Sequence, residues 1–361
     1  MKLIVLLFLS LLLGGYQLSC FAAEITLPKG FQIAIALDGV ADARSLALGD
    51  QGTLFIATRR AGKLYAARDE DGDGLYSPSL LLAEGLRMPN GIAFYQGALF
   101  VAENHRISRY DQIEGRLSDP PAAVEITRLP TEKHHGWRYL AFGPDGLLYL
   151  SIGAPCNICD QPGYGTIIRM RPDGSDRELF AQGVRNSVGF DWEPGTGDLW
   201  FSDNGRDWLG DDLPPDEINR VTQAGQHFGY PFCHAGYLAD PEFGFQRPCS
   251  DFKPPALKLG AHVAPLGVRF YNGKQFPPEY RGQLFVAEHG SWNRSEPAGY
   301  RIGVAKIAGG VVKTYQSFAS GWLKSGGGVS GRPVDLLVLP DGALLVSDDH
   351  AGRIYRISYN P

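Results

Sequence analysis

The sequence predicts an all-β protein, a six-bladed β-propeller with loop insertions on one face, and three observations predict it. Of 361 residues, 46 are Gly and 25 are Pro, about a fifth of the chain against an average nearer 12%, which leaves little room for long helices. One hairpin pattern recurs six times. Its spacing is that of a propeller blade.

Taken in order, the first alternating run is FQIAIAL, residues 31–37. It precedes the repeats, so it is the strand available to close a ring by pairing with the last blade. The six copies read SLALGDQGTLFIAT, GIAFYQGALFVAE, LAFGPDGLLYLSIG, VGFDWEPGTGDLWFSD, VRFYNGKQFPPEYRGQLFVAE and LLVLPDGALLVSD. Alternation with period two makes each arm a strand, and the Asp-Gly or Gly-rich turn makes each pair a hairpin. Leu54, Leu99, Leu148, Leu199, Leu284 and Leu344 hold equivalent places in the second strands, at intervals of 45, 49, 51, 85 and 60 residues. A third strand usually follows, as in GKLYAAR, GTIIRMR, YRIGVAKI and GRIYRISY. Such a unit cannot bury both its faces alone, so neighbours pack around a ring. Two β-sandwiches would also alternate, but would not repeat one hairpin six times. The long interval between Leu199 and Leu284 marks an insertion, and loops on one rim surround the channel mouth, where function sits.

Acids outnumber bases 39 to 34, for a formal charge of −5. With no basic stripe to neutralise phosphates, a nucleic-acid partner is not expected. The 44% hydrophobic content excludes a disordered chain. At the N-terminus Lys2 precedes an apolar run from Leu3 to Leu13, and small residues follow in SCFAA. This reads as a secretory signal over residues 1–23, cleaved near Ala22 or Ala23, leaving 24–361 as a single propeller domain. No later stretch is long enough to span a membrane, so a secreted or periplasmic chain in an oxidising compartment is expected. Cys20 raises the alternative of a lipoprotein site, which Gln17-Leu18-Ser19 matches poorly. Four cysteines remain, Cys156, Cys159, Cys233 and Cys249. They allow three pairings, of which local loops favour Cys156–Cys159 and Cys233–Cys249. A zinc site or a redox motif is the alternative. The wide gap between the pairs is unlike a zinc ribbon, and Gln161-Pro162-Gly163 blocks a helix after Cys159.

Three clusters in blade-connecting loops carry candidate chemistry. In Lys133-His134-His135-Gly136-Trp137 an imidazole offers a general base near neutral pH. In Gly183-Val184-Arg185-Asn186-Ser187 a guanidinium beside an amide offers fixed donors for an oxygen that gains charge. The run Ser202-Asp203-Asn204-Gly205-Arg206-Asp207, continuing to Asp216-Glu217, offers carboxylates and turn carbonyls to a hard cation such as calcium. A separate run, Asp69-Glu70-Asp71-Gly72-Asp73-Gly74, matches the opening of a calcium loop, but Leu80 stands where the closing acid belongs. Asp69, Asp71 and Asp73 are therefore candidates for a structural calcium; a plain hairpin tip is the alternative.

These clusters, with HHGWRYLAFGPDG, APCNICD, GVRNSVGFDW, FSDNGRDWLGDDLPPDEIN, FVAEHGSWNR and GRPVDLLVLPDG in this order, resemble the soluble glucose/sorbosone dehydrogenase family over essentially the whole mature chain, nearer its sorbosone branch. The resemblance implies pyrroloquinoline quinone (PQQ) and Ca²⁺ as cofactors, a sugar or aldehyde as substrate and an external electron acceptor. It makes His135, eight residues before Gly143, the base, with His134 the next candidate. Arg185 would face the quinone carbonyl that receives hydride, Asn186 would orient the ring, and Asn204 is a further cofactor-binding candidate. The backbone carbonyls of Gly205 and Arg206 would bind calcium, and Asp216 would assist the histidine. Arg332 would grip a cofactor carboxylate; a second family arginine is Val334 here, with Arg294 or Arg301 to compensate. No haem-attachment C-x-x-C-H exists, since Asp160 follows Cys159. Two other readings keep the propeller: a calcium-dependent lactonase, with side-chain ligands converging on a central ion, and a non-catalytic secreted binding module.

Overall fold

The computed structural model describes residues 25–361; the signal sequence expected over 1–23 lies outside them. Six four-stranded antiparallel units form the ring. Blade 1 holds Ala43–Leu48, Leu54–Thr58, Leu64–Ala67 and Leu80–Ala83. Blade 2 holds Gly91–Tyr95, Ala98–Ala102, Arg106–Tyr110 and Val124–Arg128, and blade 3 Leu140–Phe142, Leu148–Ile152, Thr166–Met170 and Glu178–Gln182. Blade 4 is Phe190–Trp192, Leu199–Asp203, Pro215–Val221 and Leu257–Ala261; blade 5 is Pro265–Phe270, Leu284–Glu288, Arg301–Ala308 and Val311–Ala319. Blade 6 contributes Pro333–Val338, Leu344–Asp348 and Arg353–Tyr359, and its outermost strand is Phe31–Asp38 from the other end of the chain. The early alternating run thus closes the ring as its sequence suggested.

The repeat is explained by burial from both sides. Every second strand is buried along its whole length, because a neighbouring blade covers each of its faces. The six equivalent leucines are at most 1% exposed, and burying each contributes about 1.5–3 kcal/mol. The core accordingly divides into six apolar clusters, each a wedge between two adjacent blades. Near the axis the first strands approach backbone to backbone. A Cβ on Gly189 would lie 2.3 Å from the Leu266 carbonyl oxygen of the next blade, so only glycine fits there. Blades 6 and 1 are joined by the Leu46 N–H, which donates to the buried Asp335 carboxylate at 2.9 Å.

Strand direction decides where function collects. Each blade runs down, up, down and up from the axis outward, so two kinds of loop share one face. These are the links from a blade's last strand to the next blade's first, and the links from second strand to third. The third-to-fourth links lie on the other face. The longest of them, 222–256 in blade 4, does not stay there. Gln226–His227 adds a parallel pairing to the edge of blade 3, carrying the insertion back up toward the first face, where the Cys233–Cys249 disulfide and Phe232 and Phe252 give it a small core. That fifth strand is short and polar, and no alternation in the sequence marked it. The other local pairing, Cys156–Cys159, is also formed.

Candidate functional site

On the loop-rich face, at the channel mouth, lies a cavity of about 370 Å³. His135, Arg185, Asn186, Asn204, Gly205, Asp216 and Arg332, seven of the residues the sequence singled out, line it together, and so does His134.

His135 is 7% exposed, whereas His134 is exposed. The His135 backbone is left-handed (φ 46°), and the following Gly136 permits the tight turn. Gly153 opposite is equally required, since a Cβ there would lie 2.7 Å from that of His135. The ring Nδ1 lies 2.8 Å from the Ala154 carbonyl oxygen. A carbonyl only accepts, so Nδ1 carries the proton and Nε2 keeps its lone pair. Burial first, then the Arg185 charge, hold the imidazolium form well below its ordinary range, so the ring is neutral at physiological pH.

Arg185 is 3% exposed and almost fully committed. Its Nε donates to the Asn157 carbonyl (2.9 Å), Nη1 to the Asn204 carbonyl (3.0 Å), and Nη2 to Asn157 Oδ1 (2.7 Å) and Asp207 Oδ2 (3.2 Å). Of five guanidinium protons, one on Nη1 is left for a ligand. Asn157 lies in the four-residue loop that Cys156–Cys159 closes, and Tyr230 from the insertion braces that loop by accepting the Cys159 N–H at 3.0 Å. Residues 154–159 therefore fix both the imidazole, through Ala154, and the guanidinium, through Asn157.

Asn186 Oδ1 accepts from Trp137 Nε1 at 3.2 Å, and Asn204 Nδ2 donates to the carbonyls of Asn186 and Pro265. Beneath them Val188, Leu266 and Val334 meet around Trp137 as an apolar floor. Val334, where the resemblance expects an arginine, is packed in that floor. Arg332 lines the cavity while donating to the carbonyls of His289 and Gly290. Arg294 and Arg301 do not reach the cavity: Arg294 ties to Asp211 and Asp212, and Arg301 pairs with the buried Glu288 at 2.7 Å. The further cations come instead from blade 1, as Arg44, Arg59 and Arg60. Arg44 is held by Asn90 and by Asp349, which also pairs with His289 at 2.8 Å. Arg59 stands over the Trp137 ring at 5.1 Å, and its buried Nε has no partner.

Both Asp216 oxygens accept backbone N–H groups, from Gly205 at 2.7 Å and Ala264 at 2.8 Å. The carboxylate thus shapes the Gly205 loop, and the His135 ring is oriented by Ala154. Burial pushes Asp216 and Glu217 up to about 7, and burial with the Glu217 charge pushes Asp203 up to about 8. Gly205 borders the cavity; Arg206 does not, its guanidinium buried against Asp240 (2.6 Å) and Glu242 (3.0 Å). Asp69, Asp71 and Asp73 bring oxygens within 4.8 Å of one another on a third-to-fourth link, the face opposite the cavity. Their carboxylates accept the N–H groups of Gly72, Asp73, Gly74 and Leu75, the pattern of a self-capped turn.

Sequence reasoning missed Arg44, Arg59, Arg60, His262, His289 and Trp292 as lining residues. The signal for them was strand parity, because all but Arg44 lie on links that share the cavity face, and Arg44 stands at the end of a strand on that face.

Comparison with known proteins agrees with this ring. The family model described as Glucose / Sorbosone dehydrogenase matches residues 102–291, and one described as TrAA12-like matches residues 244–360. An uncharacterised protein of Borreliella burgdorferi is 34% identical over 94% of this chain and 93% of its own. A Trichoderma reesei carbohydrate-active enzyme of family AA12 superposes with a TM-score of 0.82 at 20% identity, over 93% of this chain and 98% of its own. The PQQ domain of pyranose dehydrogenase from Coprinopsis cinerea does so with a TM-score of 0.79 at 20% identity, over 93% and 97%. A propeller whose rim motifs fall in the expected order, matched across its middle by that family model, belongs to the glucose/sorbosone dehydrogenase family.

Proposed function

We propose that the protein is a PQQ-dependent, calcium-assisted sugar dehydrogenase, secreted or periplasmic, that oxidises an aldose hemiacetal or hydrated aldehyde and passes the electrons to an external acceptor. One observation carries the reading. A neutral histidine with a free Nε2 shares a cavity with five arginines, Arg44, Arg59, Arg60, Arg185 and Arg332.

The donor set suits the quinone. PQQ carries three carboxylates, and the cavity offers five guanidiniums, including the unpartnered Nε of Arg59. Arg44, Arg59, Arg60 and Arg332 would hold the carboxylates, and the remaining Nη1 proton of Arg185 would meet the quinone oxygen. Asn186 and Asn204 would set the ring over the apolar floor. For calcium the candidates are the carbonyls of Gly205 and Arg206 with the nearby Asp207 and Asp216, oxygen ligands of the kind a hard cation takes. Bound there, PQQ supplies a hydride acceptor, which no side chain provides. His135 Nε2 would accept the sugar hydroxyl proton, and the Nδ1 bond to Ala154 keeps the ring in the tautomer that can do so. The uncommitted Nη1 proton of Arg185 would offer a fixed donor to an oxygen that gains charge; one such donor is typically worth ~3 kcal/mol. A lactonase would need side-chain oxygens converging on a central ion, whereas this lining is dominated by cations.

The test is reconstitution. Protein given PQQ and Ca²⁺ should reduce a dye with aldoses. His135→Ala should lose roughly 10²–10⁴-fold in turnover while retaining quinone absorbance after gel filtration. Near-normal turnover in that variant would move the base elsewhere, with His134 next in line; no quinone retained by the wild type would favour a binding module.

A further inference from the structure

Two tryptophans at the cavity mouth are exposed where the others are not. Trp208 is 67% and Trp292 66% exposed, while Trp200 and Trp322 are fully buried and Trp137 and Trp192 half-buried. Their rings meet at 5.5 Å and 85°, and Trp292 lines the cavity. The corner they form is built. Trp208 lies on the second-to-third link of blade 4 and Trp292 on that of blade 5. The two links are stapled by Arg294 on Asp211 and Asp212, by the Ser295 N–H on the Asp211 carboxylate, and by Asn293 on Asp207. Trp208 also holds a left-handed backbone (φ 72°), which a bulky residue adopts only at a cost. Exposed apolar area and backbone strain both oppose folding, so folding does not account for this corner.

We propose that Trp208 and Trp292 form an outer subsite for the second ring of a glycoside, so that the preferred substrate is an oligosaccharide oxidised at its reducing end. This rests on the sugar dehydrogenase reading. At about 370 Å³ the cavity is near the small end of ligand pockets, roughly 300–1,000 Å³. A tricyclic quinone and the reacting sugar together would fill such a cavity, which would leave the next ring at the mouth. A pyranose has apolar C–H faces and a hydroxylated edge. One indole would cover a face while the second flanks the edge, and Asn293, next in sequence to Trp292, would supply a polar partner. Two perpendicular rings leave no parallel slot for a flat aromatic mediator, which disfavours the electron acceptor as occupant.

Protein without quinone is titrated with methyl cellobioside, methyl maltoside and methyl glucoside, followed by tryptophan fluorescence. None of the three can be oxidised at the anomeric carbon. A saturable change with a disaccharide glycoside, weaker with the monosaccharide and lost in Trp208→Gly, is expected; glycine suits the left-handed backbone, and Trp292→Ala is the second variant. In reconstituted enzyme, either substitution should lower the ratio of kcat/KM for a reducing disaccharide over its monosaccharide by about five- to tenfold. Equal responses to one and two rings, no response at all, or an effect confined to the acceptor's KM would overturn the subsite. If the reconstituted protein oxidises no sugar, the dehydrogenase reading fails, and the quinone-free titration still decides this one.

Discussion

Four residues at this site hold left-handed backbones that ordinary residues avoid: His135, His262 and Ala264 in the cavity lining, and Trp208 at its mouth. For His135 the strain buys orientation, since the turn aims Nδ1 at Ala154 and presents Nε2 to the cavity. For Trp208 it sets an indole beside its partner on the neighbouring link. The strain is measurable apart from the ring. Trp208→Gly and Trp208→Ala remove the same side chain, but only glycine adopts φ near 72° freely. At an ordinary position alanine is the more stable of the two. Here glycine should be more stable than alanine by about 1 kcal/mol, read from urea unfolding midpoints. Alanine equal to or better than glycine would mean that the left-handed backbone is not populated in solution.

One short element, the loop 154–159, governs both halves of the proposed chemistry. Breaking the Cys156–Cys159 bond frees Asn157, and Arg185 loses acceptors for its Nε and for one Nη2 proton. A buried donor left unpaired costs about 1–3 kcal/mol, so the guanidinium would turn toward other oxygens. Asn157→Ala should lower kcat by roughly tenfold or more. A thiol reductant should lower it reversibly, and the Cys156→Ser, Cys159→Ser double variant should be slow before any reductant is added. Full activity in the double variant would show that the loop holds its shape without the bond. The sequence made the pairing legible, because cysteines three residues apart bridge locally. It did not reveal what the loop holds, because Asn157 belongs to blade 3 and Arg185 to blade 4. The same limit explains the arginines. Arg185, Asn186 and Arg332 sit in motifs that stand out by themselves, whereas Arg44 lies at the start of an ordinary strand and Arg59 belongs to a plain-looking turn. They reach the cavity because blade 1 closes against blade 6 across nearly the whole chain. Arg301 was misleading for a related reason. It follows a motif at the rim, yet strand pairing places it opposite Glu288, which takes its charge.

Closing the ring also concentrates buried charge, and that has a consequence for the whole molecule. Asp203, Asp216 and Glu217, held near 8, 7 and 7 by burial, keep protons in the folded state that the unfolded chain releases near pH 4. His135 and His289 are shifted the other way, well down and to about 4. They bind fewer protons when folded, but only below about 6.5; above it they are neutral in both states. Between pH 6.5 and 8 the folded protein therefore binds more protons than the unfolded one, so stability falls as pH rises. The slope is at most about 1.4 kcal/mol per pH unit for each proton released. Below 6.5 the histidines oppose the acids and flatten the curve. Thermal melts in a chelator at pH 6.5, 7.2 and 8.0 should show Tm falling across the series. Calcium bound beside Asp216 favours the ionised carboxylate, so adding Ca²⁺ should raise Tm most at pH 8.0 and flatten the slope. A rising Tm in the chelator would mean that these carboxylates are already ionised inside the ring. A calcium effect independent of pH would place the ion away from Asp216.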